Sequence, residues 1–418
     1  MSQIKRVPAR DVDQFIDIMC DAYPGMSIHT PKEKEQIRPR IDARLADPRT
    51  SLYAMYDGGR MRGGLLLYDY TMNLFGQRVP AGGAGSLAVH LAHKKQHVAK
   101  GLCRFFLGHY RRQGSPIAVL WPFRPDFYRK MGAGLGSKGH LYEIDPAGIP
   151  RGKSCRHVRY LTEKDLPSLN DCYNRWVART NGAIEETLAW RQVRFRFGQK
   201  ERWLVYAKGG RILGYLRIDF KKGKRDDFLD HNFLVKELIY ENADVLGELL
   251  TFLSTQFDQV SRIELITTDD DFHFALDDAR KSGPAVFPSV YHPSHLSGLG
   301  IMYRVLNVEG LFAAMVGRDF NGQTIRLGLH VRDTFLRANH GRRVVYFRRG
   351  KARPTAPDQP TDVEMQIDVA DFSSLIIGAV RLRSLFDYGL VKLSDETLSA
   401  ELDHLFRTDT KPACLTEF

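Results

Sequence analysis

The sequence has few of the features that mark secreted, membrane-spanning or metal-binding proteins. Its 418 residues include five cysteines, which lie far apart and form no CxxC pair, so neither a disulfide framework nor a zinc ribbon is predicted. No stretch approaches the roughly 18 uncharged apolar residues of a membrane-spanning helix. The first residues run into an amphipathic pattern without an apolar signal core. We therefore expect a cytoplasmic protein with free thiols and no membrane span.

An excess of one charge is present but scattered. Lys and Arg number 61 against 49 Asp and Glu, a formal net charge of +12, which favours a partner that bears phosphate. The basic residues form only short runs such as Lys94-Lys95 and Arg348-Arg349. A single-stranded nucleic acid would need a basic stripe interleaved with aromatic residues, and the sequence has none. We therefore expect no nucleic-acid partner and assign part of the charge to the phosphates of a small ligand.

The first two thirds of the chain contain an internal repeat. Residues 4–12 are echoed by residues 158–166, and residues 56–63 by residues 207–214. Chance rarely gives two echoes with nearly the same offset, and both segments predict the same order of strands and helices. The second segment lacks a basic loop between its central strand and helix. It is therefore predicted to be a second copy of the same fold without a phosphate site.

A third segment begins near His292, so the length and the patterns together indicate about three domains. Its apolar runs predict strands and one helix, and its stretch rich in proline and charge predicts a loop. The predicted elements are strands at 301–305, 326–331 and 344–347, a loop at 351–362, and a helix that starts at Phe372 and includes Leu382 and Leu385.

The stretch from Ser86 to Leu102 carries the strongest chemical signal. An apolar strand enters a short basic loop, and the loop leads directly into an amphipathic helix. The first backbone N–H groups of a helix have no intrahelical partner and carry partial positive charge. With Lys94 and Lys95 beside them they would form a pyrophosphate site. An ordinary strand–loop–helix connection with solvated lysines remains an alternative on spacing alone.

This stretch resembles the cofactor motif of the GNAT acetyltransferases, which runs roughly V-x-V-x-P-x-x-R-R-x-G-x-[GA]. Leu87 and Val89 match the strand positions, and Lys94 and Lys95 stand at the paired arginines. Leu91 replaces the usual proline and His97 the usual loop glycine. The resemblance implies that acetyl-coenzyme A is the co-substrate. The residues implied to bind it are Leu87, Ala88, Val89, Lys94, Lys95, Gln96, His97, Val98, Ala99, Lys100 and Phe123.

A second element strengthens the resemblance. Residues 121–134, Trp-Pro-Phe-Arg-Pro-Asp-Phe-Tyr-Arg-Lys-Met-Gly-Ala-Gly, are similar to the Tyr-x-[RK]-x-G-[YF] segment of GNAT proteins. The resemblance implies that Tyr128 protonates the departing coenzyme A thiolate. A phenol with a pKa of about 10 suits a general acid. The alternative is that Tyr128 only packs in the core.

The whole layout resembles the Eis family (enhanced intracellular survival), which joins two tandem GNAT domains to a domain like the sterol carrier proteins. The segments that carry this resemblance are residues 262–267, 300–308 and 416–418. The implied fold is α/β (α+β), with two mixed-sheet GNAT-like domains followed by an α+β domain. The implied boundaries are a catalytic domain at 1–150, a degenerate second copy at 151–291, and the sterol-carrier-like domain with its tail at 292–418.

The resemblance also implies an activity and an assembly. The expected enzyme is an acetyl-coenzyme A-dependent N-acetyltransferase that forms a homo-hexamer and acts on primary amines of a polyamine-like, aminoglycoside-like or lysine-containing acceptor. The terminal carboxylate of Phe418 would reach the first domain and act as base, since an acceptor ammonium must lose a proton. Tyr23, Trp121 and Glu417 would bind the acceptor. The alternative function is a lipid or sterol carrier, or an interaction protein, that uses the third domain.

No metal is expected in this chemistry. His90, His93 and His97 have spacings that metal ligands can adopt. The local pattern contains neither an HExxH motif nor a partnered carboxylate. The histidines are therefore not assigned a metal.

Overall fold

The computed structural model describes residues 3–28, 30–198, 200–223, 230–258, 260–281, 286 and 290–418. In this part of the chain two sheets have seven strands each and a third has five. All three sheets mix parallel with antiparallel pairs. The predicted α/β class, with two tandem mixed-sheet domains and an α+β third domain, is confirmed.

The strands are named in chain order. They are β1 (Gln3–Arg6), β2 (Thr50–Asp57), β3 (Arg60–Leu74), β4 (Gln77–Val89), β5 (Ile117–Leu120), β6 (Gly134–Leu135), β7 (Lys138–Ile144), β8 (Val158–Tyr160), β9 (Arg202–Lys208), β10 (Arg211–Lys222), β11 (His231–Tyr240), β12 (Arg262–Thr267), β13 (His295–Leu299), β14 (Met302–Val305), β15 (Ile325–Arg332), β16 (Gly341–Arg348), β17 (Lys351–Thr355), β18 (Val363–Asp368) and β19 (Val391–Leu393).

The helices are named in the same way. They are α1 (Val12–Ala22), α2 (Pro31–Leu45), α3 (Val98–Arg112), α4 (Pro125–Arg129), α5 (Leu166–Arg179), α6 (Leu188–Phe197), α7 (Ala243–Ser254), α8 (Val308–Ala314), α9 (Val369–Ile376), α10 (Leu382–Asp387) and α11 (Ser399–Phe406). Within the described residues, no helix combines the length and the apolar character that crossing a bilayer requires.

Hydrophobic spacing explains the main elements of the first domain. In α1 the residues Val12, Phe15, Ile16 and Met19 are buried on one face, as the helical spacing predicts. In β2 buried and half-buried residues alternate along the strand, which is the pattern of a strand with one face in the core. The sheet order is β1-β2-β3-β4-β5-β14-β6. The predicted strand at 84–91 is the last part of the longer β4, and the predicted helix beyond it is α3.

The first two sheets exchange strands. After β6 the chain enters the second sheet, whose order is β13-β7-β12-β11-β10-β9-β8, and it returns through β13 to β14, which lies between β5 and β6. The two crossings meet where the Gly300 N–H donates to the Ser137 carbonyl at 2.9 Å. A Cβ on Gly136 would lie 2.3 Å from the Tyr303 ring, so only glycine fits this crossing.

This exchange places one predicted strand in a different sheet. The strand expected at 301–305 was assigned to the start of the third segment, but β14 pairs with β5 and β6 of the first sheet. Sheet membership depends on long-range pairing, which a local pattern does not encode. Strands from opposite sides of each predicted division point, 150/151 and 291/292, thus pair with one another. The boundaries themselves stay a prediction.

Two local predictions in the third segment were wrong. Part of the loop expected at 351–362 is β17, an edge strand that pairs with β16. Pro354 is tolerated there because an edge strand leaves one side of its backbone unpaired. The single helix expected from Phe372 through Leu385 is two helices, α9 and α10. Gly378, with a φ of +84°, follows α9 in the left-handed conformation that ends helices.

Candidate active site

A cleft opens in the first sheet where β4 and β5 separate. The two strands pair in parallel from Ala81 opposite Ile117 to Ala84 opposite Leu120, and the ladder ends there. On its other side β4 loses register with β3 at Ser86, where the backbone φ is +50°. The chain after Leu120 turns away through Pro122. Beyond Ala84 this edge of β4 therefore faces the cleft without β5 as a partner strand, as an extended ligand would need in order to pair with it.

The basic loop follows β4 and leads into α3. Leu91 takes the first position of a short 3-10 turn, and the His90 side chain caps it by accepting from the Ala92 N–H at 3.2 Å. That first position favours proline, which explains why the family motif has proline there. Lys94, Lys95 and the next two residues are exposed in front of the first N–H groups of α3. Strand, basic loop and helix thus follow one another in the predicted order, and the pyrophosphate site itself stays a prediction.

His97 replaces the motif glycine without changing the backbone that glycine favours. Its φ is +61°, in the left-handed region, and its side chain is exposed at the start of α3. A side chain in this conformation costs about 1–2 kcal/mol. The backbone at His97 therefore has the conformation that glycine favours, although the residue carries an imidazole into the loop.

Tyr128 lies on α4 and is buried. Pro125 occupies the first position of this short helix, where its fixed φ suits helix initiation. Burial raises the pKa of Tyr128 well above its usual range, and the neighbouring Cys103 and Tyr23 raise it further. The phenol therefore holds its proton in the resting protein, as a general acid must.

A cavity of about 410 Å³ joins the cleft to the helices above it. Its walls come from α1, α2, β4, the segment after β5 and the end of the chain. It brings together six residues that the sequence analysis assigned to the site: Tyr23, Leu87, Trp121, Phe123, Tyr128 and Phe418. The Tyr23 hydroxyl donates to the Leu87 carbonyl at 2.8 Å, and burial raises the pKa of Tyr23 to about 12. The Phe123 ring stands edge-on to Tyr23, with centroids 6.0 Å apart.

The last residue of the chain lies against β4 in this cavity. A Cβ placed on Gly85 would be 2.9 Å from the carbonyl carbon of Phe418, so the terminal carboxyl group packs directly on the β4 backbone. The Phe418 ring contacts Tyr68 and Tyr70, at centroid distances of 5.6 and 5.2 Å. The residue predicted to supply a carboxylate base is thus in the same cavity as Tyr128.

Contacts from both GNAT-like copies hold the tail in place. The Trp121 Nε1–H donates to the Thr416 carbonyl at 2.9 Å, and the Thr416 hydroxyl lies 2.8 Å from the Tyr173 hydroxyl. Glu417 does not line the cavity; its Oε1 accepts from Nη2 of the buried Arg217 at 3.0 Å. The predicted role of Glu417 in acceptor binding stays a prediction. In the structure this carboxylate anchors the tail to the second domain.

Two arginines that the sequence analysis missed line the cavity. Arg40 and Arg44 lie on α2 and face the space in front of Phe418. The sequence of α2 resembles a solvated helix because it is dominated by Lys, Glu and Arg. The one available signal was that Arg40 and Arg44 are four residues apart and so share a face of the helix. Nearby carboxylates do not line this cavity: Asp126 pairs with Arg124 at 2.7 Å, and Glu33 caps α2.

His93 of the basic loop contacts other side chains. The His93 ring contacts the guanidinium of Arg62 and lies 3.1 Å from the Gln96 amide oxygen. In the part of the chain that the structure describes, no group of three or more His, Cys, Asp or Glu residues could hold a metal ion.

The second domain has no counterpart of the basic loop. Between β11 and α7 only Glu241 and Asn242 intervene, and Glu241 pairs with Arg175 at 2.6 Å. The cleft beside these strands is lined in part by the tail, and Lys411 forms an ion pair with Asp270 at 2.6 Å. The second copy therefore offers an acidic, partly filled cleft where the first offers basic residues.

Comparisons with known proteins agree with this organisation. A GNAT acetyltransferase domain model matches residues 3–136, and a second GNAT model matches residues 176–305. A sterol carrier protein domain model matches residues 311–415.

Full-length relatives identify the family. The N-acetyltransferase Eis of Mycobacterium tuberculosis is 24% identical over 381 residues, which cover 86% of this chain and 87% of the relative. The chain belongs to the Eis-family GNAT acyltransferases. A second relative is an uncharacterized N-acetyltransferase of Streptomyces coelicolor. It is 22% identical over 361 residues, which cover 82% of this chain and 83% of that protein.

Solved structures share the fold of this Eis-family chain over its whole length. A GCN5-related N-acetyltransferase from Anabaena variabilis superposes with a TM-score of 0.83 at 18% identity, and covers 100% of both chains. Eis1 from Mycobacterium abscessus gives a TM-score of 0.76 at 20% identity, again with 100% of both chains covered. At these identities the likeness is one of fold.

Proposed function

We propose that this N-acetyltransferase moves the acetyl group of acetyl-coenzyme A to a primary amine bound in the cavity of the first domain. The observation that carries the proposal is the meeting of Tyr128 and the terminal carboxyl group of Phe418 in one cavity, at the point where β4 and β5 separate. A proton donor and a proton acceptor thus flank the same space.

The first domain offers the groups that a coenzyme A thioester needs. Its pyrophosphate fits the N-terminus of α3 and the side chains of Lys94 and Lys95, since backbone N–H groups and cations both favour phosphate there. The arm of coenzyme A that bears the amide groups fits along Leu87 to Val89, on the edge of β4 where β5 no longer pairs with it. Phe123 lies at the mouth of this cleft. When bound, this co-substrate supplies an activated acetyl group; the protein supplies position and proton transfer.

The proton balance assigns one role to each residue. The acceptor ammonium gives a proton to the Phe418 carboxylate, which passes it to solvent, and the free amine nitrogen then bonds to the acetyl carbon as the carbon–sulfur bond breaks. The nitrogen loses its second proton by the same route, and the Tyr128 hydroxyl gives its proton to the sulfur and regains one from solvent. The net products are an amide, a thiol and one proton.

A thiol-release assay tests the proposed activity. Wild-type enzyme with acetyl-coenzyme A is expected to release coenzyme A when given one of a panel of primary amines, namely polyamines, aminoglycosides, lysine peptides, and amino acids or dipeptides. Mass spectrometry would show an increase of one acetyl group in the acceptor. The multi-cationic acceptor classes rest on the family resemblance. If every amine leaves the thiol signal at the rate of spontaneous hydrolysis, the proposal is wrong.

The phosphate site is tested by removing its two exposed lysines. The double variant Lys94→Ala/Lys95→Ala is expected to bind acetyl-coenzyme A more weakly by about 1–3 kcal/mol, because charge-assisted contacts to the phosphates are lost. Titration calorimetry measures the change. The control is Lys164→Ala/Lys208→Ala, which removes the same charge from exposed positions of the second domain. Equal affinities for the two double variants would place the phosphates elsewhere.

The third domain has the interior of a packed core, which favours a structural role over lipid carriage. Phenylalanine rings fill the space behind its sheet, and the rings of Phe320 and Phe347 are 4.9 Å apart. The buried guanidinium of Arg318 bridges the domains by stacking over Phe75, at 3.8 Å, and over Phe320. The homo-hexamer rests on the resemblance and the cytoplasmic location on the sequence composition, and both belong to the same proposal.

A further inference from the structure

One wall of the acceptor cavity is positively charged. Arg40 and Arg44 are four residues apart on α2, so they lie on the same face of the helix, and both line the cavity. The Arg44 guanidinium lies 5.3 Å from the centre of the Trp190 ring, which orients it. Nη2 of Arg40 donates to the carbonyl of Phe197 at 3.2 Å. These contacts position the two cations but neutralise neither.

The charges around these arginines are unbalanced. Within the described ranges, neither Arg40 nor Arg44 forms an ion pair with a carboxylate. No Asp or Glu in the described chain lines the cavity, and its one acidic group is the carboxyl terminus of Phe418. Most of the other lining side chains are aliphatic or aromatic, including Met19 and Ile37. A polycation would therefore meet two like charges, the half-buried Arg44 and the exposed Arg40, and their repulsion disfavours it.

We propose that the acceptor is an amphipathic primary amine that also bears a carboxylate, such as an apolar amino acid or a short peptide with a free C-terminus. Its carboxylate lies on Arg40 and Arg44, its apolar part lies among Met19, Ile37 and Trp121, and its amine reaches the Phe418 carboxylate. Arginine suits the task because its planar fork binds carboxylate in bidentate fashion. This inference rests on the proposed acetyl transfer and names its acceptor class.

Binding of matched probes tests the acceptor class without relying on turnover. The probes are phenylalanine and alanyl-phenylalanine, each as the free acid and as the C-terminal amide, and their affinities are read from quenching of tryptophan fluorescence, since Trp121 lines the cavity. At least one free acid is expected to bind wild type about tenfold or more tightly than its amide, because only the acid makes charge-assisted bonds to the arginines. Equal affinities for acid and amide in both pairs overturn the inference.

Variants on α2 locate the effect. Arg40→Gln and Arg44→Gln are expected to remove most of the preference for the acid and to leave affinity for the amide within about twofold. Arg44→Lys keeps the charge without the fork and is expected to restore part of the preference. The control is Lys32→Gln, which removes an exposed cation of the same helix that does not line the cavity. A preference that survives in Arg40→Gln/Arg44→Gln also overturns the inference.

Two further outcomes distinguish this inference from the alternative roles of the arginines and from a different acceptor class. If the arginine variants lose affinity for acetyl-coenzyme A in titration calorimetry while the acid preference persists, the arginines bind a phosphate of the co-substrate and the acceptor assignment is wrong. If spermidine is acetylated with a higher kcat/KM than either free acid, the acceptor class is wrong while the proposed acetyl transfer stands. Absence of transfer to every amine would reject the activity, whereas the binding result still decides the charge recognition.

Discussion

Addition of one alanine after Phe418 is expected to remove nearly all acetyl transfer while the enzyme stays folded and binds acetyl-coenzyme A. The extension moves the terminal carboxylate away from its place beside Gly85 and puts a neutral amide there. The acceptor ammonium then has no base, and we expect kcat to fall by about 10²–10⁴-fold, the usual worth of general base catalysis. The rate of thiol release at saturating substrate gives kcat, and titration calorimetry gives the affinity for acetyl-coenzyme A.

Matched controls separate loss of the carboxylate from damage to the tail. A single alanine added at the N-terminus changes the chain length equally but leaves Phe418 as it is, and it should retain wild-type turnover. The residual rate of the C-terminally extended enzyme should rise with pH, since the acceptor amine then deprotonates without help. Full activity of the extended enzyme would show that the carboxylate is not the base and that water takes the proton of the acceptor.

Substitution Tyr128→Phe is expected to lower kcat by about 10²–10⁴-fold while the dissociation constant of acetyl-coenzyme A changes little. The change keeps the buried ring on α4 and removes only the hydroxyl that would protonate the sulfur. Burial raises the pKa of Tyr128 above its ordinary value of about 10, so the wild-type phenol stays protonated below that pH. Wild-type kcat should therefore show no decline from loss of this proton up to about pH 10.

The control for this substitution is Tyr160→Phe, which removes the same hydroxyl from an exposed side chain of the second domain and should leave kcat unchanged. Unchanged circular dichroism and melting temperature in Tyr128→Phe would show that the core is intact. If Tyr128→Phe turns over at the wild-type rate, the thiolate takes its proton from water and Tyr128 only packs.

Local patterns predicted the parts of the site that lie close together in the chain. The order of strand, basic loop and helix around Lys94 and Lys95 is encoded in consecutive residues, because hydrophobic period and charge change at the boundaries of each element. The same holds for Tyr128, which follows β5 within one short helix. The repeat between the first two segments could be predicted for the same reason. The second copy has too few residues between its central strand and helix for a basic loop, and this too can be read from the sequence.

Long-range packing decided the rest. The exchange of β7 and β14 between sheets depends on pairing partners far apart in the chain, and nothing in the sequence of β14 distinguishes one sheet from another. Glu417 was expected to face the acceptor, but the buried Arg217 of the second domain lies within 3.0 Å of it. There it joins Glu201 and Glu237, which pair with the same guanidinium at 3.1 and 3.0 Å.

The sequence by itself determined the fold class, the family, and the places of the basic loop before α3 and of Tyr128 on α4, because each depends on residue type and spacing over a few turns of chain. Only the tertiary structure decided which groups share the acceptor cavity. It brought the last residue of the chain onto Gly85 and placed Arg40 and Arg44 in the lining of the same cavity. The character of that cavity is a sum of charges from α2 and the tail beside β4, which meet through packing between distant parts of the chain rather than because of any motif.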